Sequence, residues 1–264
     1  MNEPSIAIII VSRNRPDLVH QSVMQFEQDA YQNKQILVVE CGSDLSNLTN
    51  YETVYFSDPD FRGKCFGHNV GLNYLNLKNK YDYYLFCMND VFIQGRRNFL
   101  AHMVEAMQVN QEIGILSPTE PHSEYPGAQP KGDGLRTVTT ADYLFLFVRG
   151  EVLRECGFLN PNFKYCWGAI HELSYKLYSR QWSVVYDDNL SYKHLGGTTY
   201  GAAATKTISR DQYIANAKDF ARTYFIKNYG YDWDQTFWCT ATSSYNIEDN
   251  TYSLHKNFWE SSAI

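Results

Sequence analysis

Asn89 and Asp90 end a short apolar run, Tyr83 to Met88. A strand buried in a parallel sheet is apolar on both faces, so a carboxylate just past its end lies on the carboxyl edge of the sheet. Open α/β sheets bind ligands along that edge. A carboxylate there can hold a divalent cation, and a hard cation holds a diphosphate in turn. The competing reading is that Asp90 caps the turn that follows. His194 is a second candidate: a lone histidine is more often structural than a ligand, but this one ends a strand and Gly196 and Gly197 leave room beside it. Gly63, Gly67 and Gly71 recur at a spacing of four around Asn69. Glycines before a helix allow close approach of backbone to an anion, although the GK[ST] of a Walker loop is missing.

The elements that position these residues alternate between strand and helix. Ser5 to Val11 is β-branched and reads as a strand that breaks at Ser12, Arg13 and Asn14. Pro16 suits a helix first turn, and Val19, Val23 and Phe26 recur at helical spacing. "QILVVE" is a second strand, ending at Glu40 to Asp44. These strand ends are expected to converge with Asp90. Gly67, Asn69 and Gly71 are expected to lead into a helix carrying Leu72 and Leu75. Helices are also expected near residues 96–109, 150–155 and 172–180, with strands at "IGILSP" and Ala141 to Val148. "SVVYDDNLSYKHLGG" reads as strand, turn, strand. The Gly/Pro/Ser-rich stretch His122 to Thr139 is either a loop over the active site, the favoured reading because it lies between two core strands, or a partly mobile excursion. A helix from Arg210 to Asn228 carries an apolar stripe suited to core packing. The aromatic tail beyond it, with Trp233, Trp238 and Trp259, is expected to fold back on the domain or on a partner.

The chain has 264 residues, 44% of them hydrophobic, which suffices for a sizeable α/β core. The net charge of −6 argues against a surface broadly adapted to polyanions. Nucleic acid is therefore a possible partner but not the favoured one. Ile6 to Val11 is too short to span a bilayer. "MNEPS" lacks the basic start of a secretory signal, so a cytoplasmic protein is expected. The six cysteines form no CxxC pair and read as free thiols.

Several blocks in fixed order resemble glycosyltransferase family two, of GT-A fold, and in particular its rhamnosyltransferase-like members. They are "IAIIIVSRNRPDL", "ILVVECGSD", "RGKCFGHNVGL", "YLFCMNDVFI", "LFLFVRGEVLRECGFLNPNF" and "HLGGTT", which together cover roughly residues 5 to 200. The resemblance implies a Rossmann-like, mostly parallel central sheet flanked by helices. It implies a glycosyltransferase domain over residues 1–204 and a C-terminal helical extension, 205–264, packed on it.

The implied activity is transfer of a sugar from a nucleotide-diphosphate donor (UDP, GDP, TDP or CDP) to a hydroxyl acceptor, with inversion. The acceptor is expected to be a surface polysaccharide or glycolipid. Ser12, Arg13, Asn14, Glu40, Asn69 and Asn89 would contact the donor. Asp90 and His194 would bind Mn²⁺ or Mg²⁺. The family's Asp-x-Asp is here Met88-Asn89-Asp90, so one carboxylate remains. Ile170 stands where the usual catalytic base would be, which leaves His171, Glu172 and Asp142 as substitutes. Three alternatives remain. One is a phage-type enzyme that glycosylates hydroxylated pyrimidines of DNA. Another is a non-catalytic nucleotide-sugar or glycan binder, and the last an unrelated nucleotide-binding α/β protein.

Overall fold

A computed structural model describes residues 3–58, 63–163, 165–196 and 209–229. The elements run β1 (Ile6–Ser12), α1 (Pro16–Glu27), β2 (Lys34–Cys41), β3 (Thr53–Phe56), α2 (Gly63–Lys78), β4 (Tyr83–Met88) and β5 (Val91–Gln94). They continue as α3 (Phe99–Val109), β6 (Ile113–Thr119), β7 (Leu135–Thr137), β8 (Phe145–Arg149) and α4 (Gly150–Cys156). The last three are α5 (Ala169–Tyr178), β9 (Ser183–His194) and α6 (Arg210–Tyr229). No described helix is long and apolar enough to cross a membrane.

Among the described residues the strands form one sheet of nine, in the order β3-β2-β1-β4-β8-β6-β9-β5, with β7 paired to β9. The β3-β2-β1-β4 half is parallel. β8 runs antiparallel to both β4 and β6, and β6 runs parallel to β9. The directions of β1, β2, β4, β6 and β9 therefore agree, and their carboxyl ends share one edge. Residues just before β8 reach the same edge because that strand runs the other way.

β1 shows why the sheet is a middle layer. Its seven residues are all buried. Ala7, Ile9 and Val11 face one apolar cluster, with α2, α4, α5 and α6. Ile6, Ile8 and Ile10 face the other, with Val19, Val23 and Phe26 of α1 and Phe99, Leu100 and Met103 of α3. The alternation follows from successive strand side chains pointing to opposite faces.

Several expectations need correction. The glycine row does not precede a helix; it lies within α2 and faces the sheet. A Cβ on Gly67 would sit 2.5 Å from Cys41 Sγ, and one on Gly71 would sit 2.6 Å from Ile9 Cγ2 and 2.8 Å from Val39 Cγ2. The glycines bring the helix, and not a ligand, close to backbone. β9 is one strand where two were expected; its register with β6 jumps from Pro118↔Asp187 to Thr119↔Ser191. α5 begins at Ala169, three residues earlier than expected, behind Gly168 with φ +86°. β8 begins at Phe145, later than expected; β5 carried no sequence expectation, and β7 lies in a stretch expected to be loop.

The 122–139 stretch is partly built into the sheet. β7 pairs with β9, and the fully buried Arg136 donates from Nε to Asp188 at 2.8 Å and from Nη2 to the Gln129 carbonyl at 2.7 Å. α6 packs as its stripe implied: Ala217, Ala221 and Phe225 are buried, and Tyr224 lies 4.4 Å from Phe163 between ring centroids. The tail with Trp233, Trp238 and Trp259 lies outside the described residues.

Gly71→Ala forces its new methyl into Ile9 and Val39. Overpacking of this kind costs about 1–3 kcal/mol. The expected outcome is a lower urea midpoint with an unchanged slope.

Candidate functional site

The carboxyl edge is assembled by one unusual chain path. Asn89 and Asp90 follow β4 directly, and β5 then pairs antiparallel with the last four residues of β9, in the register Val91↔His194 to Gln94↔Ser191. This sets His194 Nε2 3.5 Å from Asp90 Oδ2. The Leu195 N–H also donates to the Asp90 carbonyl at 3.0 Å. Asp90 is 5% exposed and His194 partly so. Burial works against charge on His194, but the hydrogen bond and charge of Asp90, with the charge of Asp142, raise its pKa overall.

Asp142 is half-buried just before β8. Burial raises its carboxyl pKa, while Lys64 and His194 pull the other way. Its backbone N–H donates to the Tyr186 hydroxyl at 2.7 Å. Of the three substitute bases, Asp142 is the one whose charge is coupled to His194.

Two further groups complete the cluster, and neither was a sequence candidate. Glu120 follows β6; burial raises its carboxyl, and the charge and backbone N–H of His194 oppose the rise. The rule that pointed to Asp90, a carboxylate just past a buried strand, also points to Glu120. Lys64 lies in the first turn of α2. It donates to the Tyr143 carbonyl at 2.8 Å, with Nζ 4.6 Å from that ring's centroid. No sequence signal marked it.

The donor candidates divide by what they touch. Asn89 donates to Ser12 Oγ at 3.1 Å, which ties the ends of β4 and β1 together. Glu40 is fully buried. Burial raises its pKa, and the hydroxyls of Ser43 and Ser12 oppose this. Its Oε1 makes no hydrogen bond of ordinary geometry among the described residues. Asn14, with φ 53°, clamps two loops: its Oδ1 accepts from the Asp44 N–H at 2.7 Å and from Asn47 Nδ2 at 3.0 Å. Arg13 donates to the Asp58 carbonyl at 3.3 Å. Asn69 sits within α2 and donates to the Leu159 carbonyl at 2.7 Å.

Glu172 and His171 have structural surroundings. Glu172 Oε1 accepts from the hydroxyls of Tyr224 at 2.5 Å and Tyr229 at 2.8 Å, and Oε2 lies 3.3 Å from Lys176 Nζ. These contacts tether α6 to α5. His171 is 4% exposed, and burial brings its pKa down to about 3, so it stays neutral at pH 7. His68 is a buried histidine of the same kind, also brought to about 3 by burial. Its Nε2–H donates to the Cys87 carbonyl at 3.2 Å, which leaves Nδ1 to accept from the Tyr143 hydroxyl.

Two solved structures superpose on nearly the whole chain. One is a mannosyltransferase from Pyrobaculum calidifontis in complex with GDP-Man and Mn²⁺, with TM-score 0.61 and 12% identity over 99% of this chain and 74% of that one. The other is GalNAc-T7 with UDP, GalNAc and Mn²⁺, with TM-score 0.61 and 11% identity over 96% of this chain and 57% of that one. The fold is GT-A. This chain thus spans just over half the length of the second neighbour. No family model matches the sequence, and no curated protein matches it.

The residues present fit a divalent cation as a two-ligand site. Asp90 supplies a hard oxygen and His194 an imidazole, a set that suits Mn²⁺ or Mg²⁺ when phosphate oxygens complete the shell. Among the described residues no group of three or more His, Cys, Asp or Glu is placed to hold a metal ion without such help.

The two neutral histidines have a stability consequence. His68 and His171 take up a proton near pH 6.5 in the unfolded chain and only near 3 in the folded one. The folded state therefore loses stability as pH falls through that window, by up to about 1.4 kcal/mol per pH unit for each histidine. His171→Met is expected to shallow the fall of the urea midpoint between pH 6.5 and 4.5, and an unchanged slope would contradict the assignment.

Proposed function

We propose that this protein is a glycosyltransferase that moves a sugar from a nucleoside-diphosphate donor to an acceptor hydroxyl. The observation that carries the reading is the meeting of Asp90 and His194 at the carboxyl edge of a GT-A sheet, from positions 104 residues apart (194 − 90). Lys64, Asp142 and Glu120 gather around the same histidine. Asp90 and His194 would hold Mn²⁺ or Mg²⁺. When bound, the cation neutralises charge that builds on the leaving diphosphate.

The chain's own groups supply the remainder. Lys64 places a positive charge beside the leaving phosphates. Ser12, Glu40 and Asn89 are assigned to the donor end, where Asn89 donates to Ser12 Oγ and the buried Glu40 accepts from Ser43 behind them. Asp142 is the assigned base. Its partial burial raises its carboxyl pKa, which makes it a stronger proton acceptor than an ordinary carboxylate. It removes the acceptor's hydroxyl proton as the oxygen attacks the sugar from the face opposite the diphosphate, which gives inversion. Glu172 is set aside as base because its oxygens are occupied in holding α6. The acceptor follows from the resemblance alone: a glycan hydroxyl of a surface polysaccharide or glycolipid.

Calorimetric titration with UDP, GDP, TDP and CDP, each with and without Mn²⁺, tests the donor site. One nucleotide is expected to bind more tightly with the metal. Asp90→Ala should lose about tenfold or more of that affinity, about 1.4 kcal/mol. Binding indifferent to Mn²⁺ would remove the metal role of Asp90 and His194.

Asp142→Asn should lower kcat by about 10²–10⁴-fold while nucleotide affinity holds. Glu172→Gln should instead lower the melting temperature and retain turnover. The reverse pattern would return the base to α5.

A further inference from the structure

The proposed transfer uses none of the five buried thiols among the described residues, and three of them, Cys41, Cys65 and Cys166, come from around α2. Cys41, Cys65 and Cys166 are 8%, 0% and 5% exposed. Cys65 lies in the first turn of α2, next to Lys64. Cys166 comes from the segment before α5, 101 residues later. The Cys65 N–H donates to Cys166 Sγ at 3.1 Å, which brings the two cysteines into contact. Cys166 has φ 64°, a conformation uncommon for a residue with a side chain, which the surrounding fold enforces.

The two sulfurs are chemically unlike. Burial pushes the Cys166 thiol up, yet the Cys65 hydrogen bond, the Lys64 charge and the N–H groups of Cys65 and Lys64 bring it below its ordinary value. Burial and the neighbouring Cys166 push Cys65 well up. A thiol held below its ordinary pKa beside one held above it is the arrangement of an attacking and a resolving cysteine. Cys41 is less suited, since burial raises its pKa and its thiol faces the Val39 carbonyl at 3.6 Å.

We propose that Cys65 and Cys166 form a reversible dithiol–disulfide site, oxidised by a small peroxide. The Cys166 thiolate attacks a peroxide oxygen. The O–O bond breaks, hydroxide leaves and is protonated to water, and Cys166 becomes a sulfenic acid. Cys65 sulfur then attacks Cys166 sulfur. The S–O bond breaks, and hydroxide departs with the Cys65 proton as a second water. Two electrons pass from the two sulfurs to the peroxide, and a dithiol reductant returns them. The bond would fasten the first turn of α2, with Lys64, to the segment leading into α5. The chemistry of the pair does not depend on sugar transfer.

The test uses the reduced full-length chain exposed to hydrogen peroxide, digested without reductant and read by mass spectrometry. The expected product is a peptide pair linking Cys65 to Cys166, lighter by two hydrogen atoms and separated again by dithiothreitol. In Cys65→Ser the reaction should stop at a Cys166 sulfenic acid that dimedone captures; in Cys166→Ser neither product should form. The wild-type linkage needs no variant, so misfolding of either variant leaves the test standing. No linked pair, a link through Cys41, or a sulfenic acid first on Cys65 would overturn the proposal.

Discussion

The β5–β9 pairing is the constraint on which the candidate site depends. Without it Asp90 would be a turn residue after β4, and His194 would end a strand three places further along the sheet. The antiparallel register Val91↔His194 sets their side chains 3.5 Å apart. The pairing costs β9 its regularity: the jump from Asp187 to Ser191 against β6 lets its last four residues turn toward β5. A bulge that redirects side chains beside a site is a recurrent use of such irregularity.

The position of α2 rests on a second constraint, the absence of side chains at Gly67 and Gly71. Glycine within a helix costs about 0.5–1 kcal/mol relative to alanine. Here that cost accompanies a close approach that a Cβ on either residue would block. The same approach sets the helix's first turn beside Tyr143 and Cys166. One row of glycines thus governs both the cation near the proposed donor phosphates and the thiol pair below it.

α5 shows how a candidate base can prove structural. Glu172 is one of three candidate bases, and in the fold it accepts hydrogen bonds from Tyr224 and Tyr229. A buried carboxylate is tolerated when its oxygens are hydrogen-bonded and a cation lies near, as Lys176 does. The interaction holds α6 over Phe163 and Gly168, where φ +86° and contacts to Phe225 and Ala221 leave no room for a larger residue. Proton abstraction is then assigned to Asp142, which reaches the same edge from the antiparallel strand.

Sequence by itself determined most of the order of strands and helices, because hydrophobic periodicity is local, but not β5, β7 or the continuity of β9. It also determined the candidacy of Asp90 and His194, because a polar residue after a buried strand must lie at the sheet's edge. It pointed to Glu40 and Asn89 on the same ground. Tertiary structure decided what depends on distant partners. The glycine spacing is compatible with a ligand loop or a close-packed helix, and only the sheet beneath it distinguishes the two. Glu172 and Asp142 are alike as carboxylates in sequence; one meets tyrosines from α6 and the other meets His194. Lys64 and the Cys65–Cys166 contact carry no local signature, since each is defined by residues brought together across the sheet, whereas Glu120 obeys the same strand-end rule as Asp90.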